Sequence, residues 1–253
     1  MIRPLWVVLI SIVGLTFVTA VPAPAQIAPQ SGCADCHYAR PDSPRQDHLE
    51  AWDRSPHARN NIGCESCHGG NPRVFEALPA HVGILASGNA KSPVNRRNLP
   101  TTCGACHIGP FVAFQDSRHY ELLQSGNNRG PTCSTCHGEV DGRVLSPKAL
   151  ASRCNECHGP GETAPRVERA RQVREQYEGL VAVREQMKLA QSLIRRVDDQ
   201  KRRATLTDAL QQAQVPLTRA VNAGHRFVYD DLRENLATAQ KRVEALLSTL
   251  ANR

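Results

Sequence analysis

The ten cysteines of this chain are its most informative residues, because all of them occur in Cys-x-x-Cys pairs that are followed at once by histidine. The paired cysteines are Cys33 and Cys36, Cys64 and Cys67, Cys103 and Cys106, Cys133 and Cys136, and Cys154 and Cys157. The histidines that follow them are His37, His68, His107, His137 and His158. This is the spacing of the covalent haem-attachment motif. Two thiols one turn apart can bond one edge of a porphyrin, and the adjacent histidine then lies under the iron.

Other uses of Cys-x-x-Cys explain the pattern less well. Zinc ribbons need two such pairs for each metal ion, and five is an odd number. A thioredoxin-like redox motif needs one pair beside a βαβ pattern, which this chain lacks. A disulfide framework accounts for an even cysteine count but gives no reason for the five histidines. We therefore predict five covalently bound haem c groups.

Five further histidines could supply the second axial ligand of each iron. They are His48, His57, His81, His119 and His225. Methionine is the other common sixth ligand, but Met187 is the only methionine beyond the initiator. Five spare histidines for five haems therefore favour bis-histidine coordination throughout.

Each spare histidine also has a simpler interpretation. A lone histidine is usually a solvated loop residue. His48 lies only nine residues before His57, so one of these two could be unused. His225 falls on the apolar stripe of a predicted helix, where it needs a partner, and that partner is either an iron or a core hydrogen bond. We favour the iron.

The first 25 residues predict export. Arg3 precedes an apolar run from 5 to 21, and Ala23-Pro24-Ala25 is a small-x-small cleavage site, so we expect cleavage before Gln26 and a periplasmic protein. The apolar run is close to the minimum for crossing a bilayer, so an uncleaved anchor is the alternative and the one route to membrane association.

The remaining chain divides by composition into two parts. Residues 26–160 are rich in Pro, Gly, Asn and Ser and predict little regular structure, so the haems themselves must form the core of this pentahaem domain. Residues 161–253 have helical periodicity and predict a long antiparallel helical hairpin, with Pro216 kinking or splitting its second helix. The fold class is therefore mainly α.

The positive charge is concentrated in the helical part. Residues 161–253 hold 17 basic and 12 acidic side chains, including the run Lys201-Arg202-Arg203. Nucleic acid is an improbable partner for an exported protein. The expected partners are redox proteins of a periplasmic respiratory chain, and the basic helices are candidates for docking to an acidic partner or for self-association.

The motifs also resemble those of a known family. With five attachment motifs and the similar stretches Ser55-Pro56-His57 and Ser117-Arg118-His119, residues 31–160 resemble multihaem c-type cytochromes of the cytochrome c-554 and doubled-motif kind. A late histidine on a long C-terminal helix is similar to the arrangement in hydroxylamine oxidoreductase and pentahaem nitrite reductase. The resemblance implies closely packed haems, mostly bis-histidine irons and electron transfer among respiratory or nitrogen- and sulfur-cycle enzymes. The chain has no Cys-x-x-Cys-Lys, the mark of many haem nitrite reductases.

The expected function is one-electron transfer, and we assign no catalytic residue. Two imidazoles on each iron leave no open position for a substrate. One alternative is a multihaem reductase of nitrogen or sulfur oxyanions, in which one spare histidine, most readily His48 or His225, does not bind iron. Another is a quinol-oxidising cytochrome whose N-terminal segment stays in the membrane.

Overall fold

A computed structural model describes residues 31–40, 46–127, 129–143, 145–162 and 166–252. The predicted signal peptide, residues 1–25, lies outside these ranges. The described helices are α1 Gly32–Tyr38, α2 Gln46–Asp53, α3 Pro56–Arg59, α4 Glu65–His68, α5 Ala77–Ala80, α6 Leu99–Gly104, α7 Ile108–Gln115, α8 Arg118–Gln124, α9 Cys133–His137, α10 Pro147–His158, α11 Val167–Ile194, α12 Gln200–Arg226 and α13 Tyr229–Ala251. The described residues contain no β-strand, so the mainly α prediction is confirmed.

The part that carries the cysteine motifs has short helices and a small protein core. Helices α1 to α10 are 4 to 12 residues long. A small buried cluster joins Ala34, Trp52 and Ala58, with Val140 packed against it. Several large apolar side chains, among them Phe75 and Leu78, are instead mostly exposed on the protein's own surface. This is the pattern expected if bound porphyrins, and not side chains, fill the interior.

The C-terminal part is a bundle of three long helices, α11 to α13, with a core of its own. Two adjoining clusters of buried apolar side chains line the helix contacts, and they include Leu180, Val183, Met187, Ala190, Ile194, Leu206, Leu217, Leu236, Val243 and Leu246. Helices α12 and α13 pack closely along their length as a hairpin, and α11 packs on both. The predicted hairpin has only two helices, with residues of α11 in the first and residues of α12 and α13 together in the second. The second predicted helical stretch is thus two helices.

The break between α12 and α13 does not lie at Pro216. Helix α12 continues through Pro216, which is buried inside it, so the predicted split at this residue is wrong. Proline removes one backbone N–H and leaves the carbonyl four residues earlier without its helical donor. Here that carbonyl, of Gln212, accepts a hydrogen bond of 2.7 Å from the guanidinium of Arg242 on α13. A neighbouring helix therefore supplies the donor that proline lacks.

Helix α12 instead ends at its C-cap residue, Phe227. This residue has a φ of 60° and a ψ of 33°, a left-handed conformation that is unusual for a bulky residue, and its N–H donates to the carbonyl of Gly224. Holding a non-glycine residue in this region costs on the order of 1 kcal/mol. Glycine would avoid that cost, so the side chain of Phe227 must contribute something that glycine cannot.

One backbone hydrogen bond attaches the bundle to the fifth cysteine motif, and a ring contact joins two helices of the bundle. The N–H of Arg166 donates to the carbonyl of His158 at 2.9 Å. The ring of Tyr229 lies between the guanidinium groups of Arg169 and Arg233, 5.7 and 5.8 Å from its centroid, which fixes the start of α11 against the start of α13.

The link between Pro216 and Arg242 predicts non-additive stability effects. We expect Arg242→Met to lower the free energy of unfolding by about 1 kcal/mol, because the Gln212 carbonyl loses its donor. In a Pro216→Ala background that cost should nearly disappear, since alanine at this position restores the helical N–H. Urea unfolding of the haem-loaded protein, monitored by far-ultraviolet circular dichroism, measures the cost of Arg242→Met in each background. Arg219→Met, at an exposed position of α12, is the control, and equal Arg242→Met costs in the two backgrounds would contradict the compensation.

Candidate haem-binding site

Every motif histidine faces a different spare histidine. The ring centroids are 5.8 Å apart for His37 and His81, 6.1 Å for His48 and His68, 6.2 Å for His57 and His107, 5.9 Å for His119 and His158, and 6.2 Å for His137 and His225. The structure thus brings all ten predicted ligand histidines together in five pairs. His48 and His57 each have their own partner, so neither is left over.

The separation of the rings fits one iron between each pair. A metal lies about 2 Å from a histidine nitrogen, and the ring centroid is about 1 Å further, so two axial imidazoles on one iron have centroids about 6 Å apart. The described residues contain no group of three or more His, Cys, Asp or Glu side chains that could bind a metal ion by itself. Paired imidazoles suit a metal that takes its other four ligands from a macrocycle.

The cysteines are placed for attachment to such a macrocycle. All ten are free thiols, so the structure contains no disulfide framework. Two of the motifs close with a hydrogen bond of 2.9 Å from the histidine N–H to the carbonyl of the first cysteine, in Cys64 to His68 and in Cys103 to His107. This turn puts the two thiols and the imidazole on one side of the backbone.

Neighbouring motifs lie side by side in chain order. The hydroxyl of Ser31, beside the first motif, is 3.8 Å from the sulfur of Cys64 in the second. Burial raises the pKa of the Cys64, Cys67 and Cys136 thiols. The charge of a thiol in a neighbouring motif raises each pKa further, and the neighbours are Cys33, Cys103 and Cys154, respectively. The neighbouring Cys103 and Cys133 thiols interact, which raises the pKa of Cys103 and lowers that of Cys133. The attachment points form one continuous row.

Burial keeps the imidazoles in the form that binds metal. Burial, followed by the facing histidine's charge, lowers the pKa of His37, His68 and His137. The same two causes lower the pKa of His119 to about 4. These rings are therefore neutral at pH 7 and can offer a lone pair to iron.

Two of the spare histidines are oriented by a backbone hydrogen bond. Nδ1 of His81 donates to the carbonyl of Ala77 at 2.6 Å, and Nδ1 of His225 donates to the carbonyl of Val221 at 2.8 Å. A ring that donates from Nδ1 has its free lone pair on Nε2. The core hydrogen bond considered as the alternative for His225 is thus present, and it leaves Nε2 available for a metal.

The two Ser-x-His stretches are helix N-termini. Ser55 accepts a hydrogen bond of 3.0 Å from the N–H of Ala58, and Ser117 accepts one of 3.1 Å from the N–H of Tyr120. Each serine is an N-cap and is fully or almost fully buried. The histidine two residues later, His57 or His119, therefore stands on the first turn of its helix. The similarity seen in the sequence has a structural cause.

Sequence reasoning missed a glycine that lies against His57. Gly142 has a φ of +62°, and a Cβ placed on it would be 2.8 Å from Cε1 of the His57 ring. Only a glycine combines this backbone conformation with such a close approach. The signal was present as Asp141-Gly142 in a turn, but the sequence does not reveal which side chain the turn would meet.

The family comparisons agree with this chemistry. The family model described as "Cytochrome c554 and c-prime" matches residues 19–69. The chain is similar to the C-type polyheme cytochrome OmcB of Geobacter sulfurreducens, with 32% identity over 126 residues, which is 46% of this chain and 14% of OmcB. It is also similar to OmcC of the same organism, with 24% identity over 129 residues, 47% of this chain and 15% of OmcC. No solved structure matches the chain.

The contact between Gly142 and His57 predicts a selective defect. If His57 binds a haem iron, the methyl group added in Gly142→Ala would push on that ligand ring, so we expect part of the ferric protein to become high-spin at one haem. Gly126→Ala is a matched control, because Gly126 also has a positive φ, of +81°, but has nothing within 4 Å of the added Cβ. Ferric optical and EPR spectra measure the change. Equal effects of the two variants would show that backbone strain alone is responsible.

Proposed function

We propose that this chain, which belongs to the multihaem c-type cytochromes, binds five haem c groups and holds each iron between two imidazoles. The proposed axial pairs are His37 with His81, His68 with His48, His107 with His57, His137 with His225, and His158 with His119. The observation that supports this most strongly is the set of five facing ring pairs with centroids 5.8 to 6.2 Å apart.

The count of five has two independent supports. Five attachment motifs use all ten cysteines, and five spare histidines match the motif histidines one to one. A site with an open position would leave one motif histidine without a facing imidazole. The pairing therefore favours electron transfer over a reductase.

Haem iron, when bound, supplies reversible one-electron chemistry. The chain contributes thioether attachment points, neutral axial ligands and their orientation. The row of neighbouring cysteines supports a further element of the proposal, that the haems lie close enough to exchange electrons from one motif to the next. Low potentials are expected, because imidazole donors favour the ferric state over the ferrous one.

We propose a periplasmic location for the mature protein, supported by the signal-like segment before Gln26. None of the described helices is both long enough and apolar enough to cross a membrane. The chain spans about 14% of the length of the OmcB it matches, so the partners and electron acceptors of that protein are not transferred to this chain.

Proposed partners are redox proteins that carry an acidic surface, because the helical bundle is basic. Their association with this protein should weaken steeply between low salt and about 0.5 M salt, because surface charges are screened beyond about 8 Å already at physiological ionic strength. Surface plasmon resonance over a salt series measures it for any candidate donor or acceptor. Affinity independent of salt would rule out electrostatic docking.

Removing one distal ligand tests the proposed coordination. His225→Ala should leave the iron at His137 five-coordinate, so one haem becomes high-spin in the ferric protein and binds carbon monoxide when reduced, and added imidazole should reverse both changes. Asn222→Ala, on the same helix one turn earlier, is the control and should stay low-spin. If the wild-type protein already binds carbon monoxide at one haem, the reductase alternative is favoured. If His225→Ala remains fully low-spin, the assignment of His225 is wrong.

A further inference from the structure

The distal imidazole of the fifth motif lacks the Nδ1 hydrogen bond that two other distal imidazoles have. Nδ1 of His119 is buried and has no hydrogen-bond partner within the part of the chain that the structure describes. His81 and His225 donate from Nδ1 to a backbone carbonyl one turn earlier. His119 stands on the first turn of α8, where the chain offers no such carbonyl. Something other than a hydrogen bond must fix its ring.

A phenylalanine from the helical bundle packs against the His119 ring. The ring centroid of Phe227 is 4.1 Å from that of His119, with the ring planes at 73°. The ring planes are in the edge-to-face orientation that aromatic quadrupoles favour, and the centroids are closer than the separation of about 4.5 to 7 Å at which aromatic pairs usually lie. Apart from His158, Phe227 is the only ring that contacts His119 among the described residues.

The contact is built from distant parts of the chain. Phe227 also lies 6.4 Å from Phe114 on α7, which in turn lies 5.6 Å from Tyr120, the residue after His119. Phe111 completes the group, with its ring 6.4 Å from that of Tyr120. The chain has only five phenylalanines. Three of them belong to this aromatic group, in which Phe227 contacts His119 and the other two contact Tyr120.

The backbone of Phe227 supports a specific role for its side chain. It adopts a φ of 60° at the corner between α12 and α13, a position at which glycine is the unstrained choice. Its ring is nearly half exposed, so burial in the bundle core does not explain its presence. The unfavourable conformation carries a side chain whose close ring contact is with His119.

We propose that Phe227 is a positioning residue for the fifth haem. Its ring holds the His119 imidazole at a fixed angle, as a hydrogen bond from Nδ1 would otherwise do, and it keeps water away from Nδ1. This inference rests on the proposed function, since it takes His119 and His158 as the axial pair. The same corner presents His225 to His137 two residues earlier. The helical bundle would thus act directly on the last two haems. His225 would be a ligand of the haem at His137, and Phe227 would support the ligand of the haem at His158.

Two consequences follow for the fifth haem. The low-spin ferric EPR signal depends on the angle between the two imidazole planes, so releasing the ring should shift that signal. Water that reaches Nδ1 would accept its hydrogen and make the imidazole a stronger donor, which stabilises the ferric iron. Removing Phe227 should therefore lower the potential of this haem.

Phe227→Gly is the sharpest test, because glycine relieves the backbone strain and removes only the ring. We expect the helical content of the haem-loaded protein to stay unchanged, the EPR signal of one low-spin haem to shift, and one step of the potentiometric titration to move to lower potential. Phe227→Leu keeps apolar bulk without the aromatic edge and should give a smaller shift in the same direction. Val228→Ala changes the next residue of the corner and should leave both measurements as in the wild type.

The outcomes separate this inference from the proposed function. If the wild-type ferric protein does not show five low-spin haems, the proposed coordination fails first. If it does, and Phe227→Gly matches the wild type in both EPR and titration, Phe227 has no positioning role. An equal shift in Val228→Ala would also overturn the inference, because the effect would then belong to the corner as a whole. Should Phe227→Gly lose helical content, the comparison of Phe227→Leu with Val228→Ala decides by the same criteria.

Discussion

The structure depends on one spatial relation, in which two imidazoles face each other across the width of one metal centre. Five motif histidines are fixed in position by the cysteines next to them, and the chain must bring a second imidazole about 6 Å from each of them. The part of the chain that carries the motifs has only a small apolar core of its own with which to hold such an arrangement, and the aromatic content of the whole chain is 4%. In the proposed function, the paired ligands and the attached porphyrins would take the place that a side-chain core has in other proteins.

The five distal histidines reach their places by different local means. Buried serine caps set His57 and His119 on the first turns of short helices. Backbone carbonyls orient His81 and His225. The helical bundle then contributes at long range, through His225 and through Phe227. In the proposed function the C-terminal helices would thus take part in cofactor binding, although they contain no attachment motif.

Much of the chemistry could be predicted from the sequence, because covalent haem attachment requires a contiguous motif. The ten candidate ligand histidines and the mainly α class could also be predicted, because residue types and helical periodicity are found in short stretches of sequence. The pairing of ligands could not be predicted, since it joins residues as distant as His137 and His225. Helix α12 continues through Pro216 for a similar reason: Arg242, on another helix, supplies the missing donor. The left-handed Phe227 and the close approach of Gly142 also reflect tertiary contacts that no local pattern contains.

The central claim is that each iron lies between the two histidines of one pair, and an experimental structure of the haem-loaded protein tests it most directly. The account predicts five irons, each about 2 Å from one nitrogen of a motif histidine and one nitrogen of its facing partner, with no iron left five-coordinate. An iron whose sixth position is open or held by another residue, or a spare histidine turned into solvent, would contradict it.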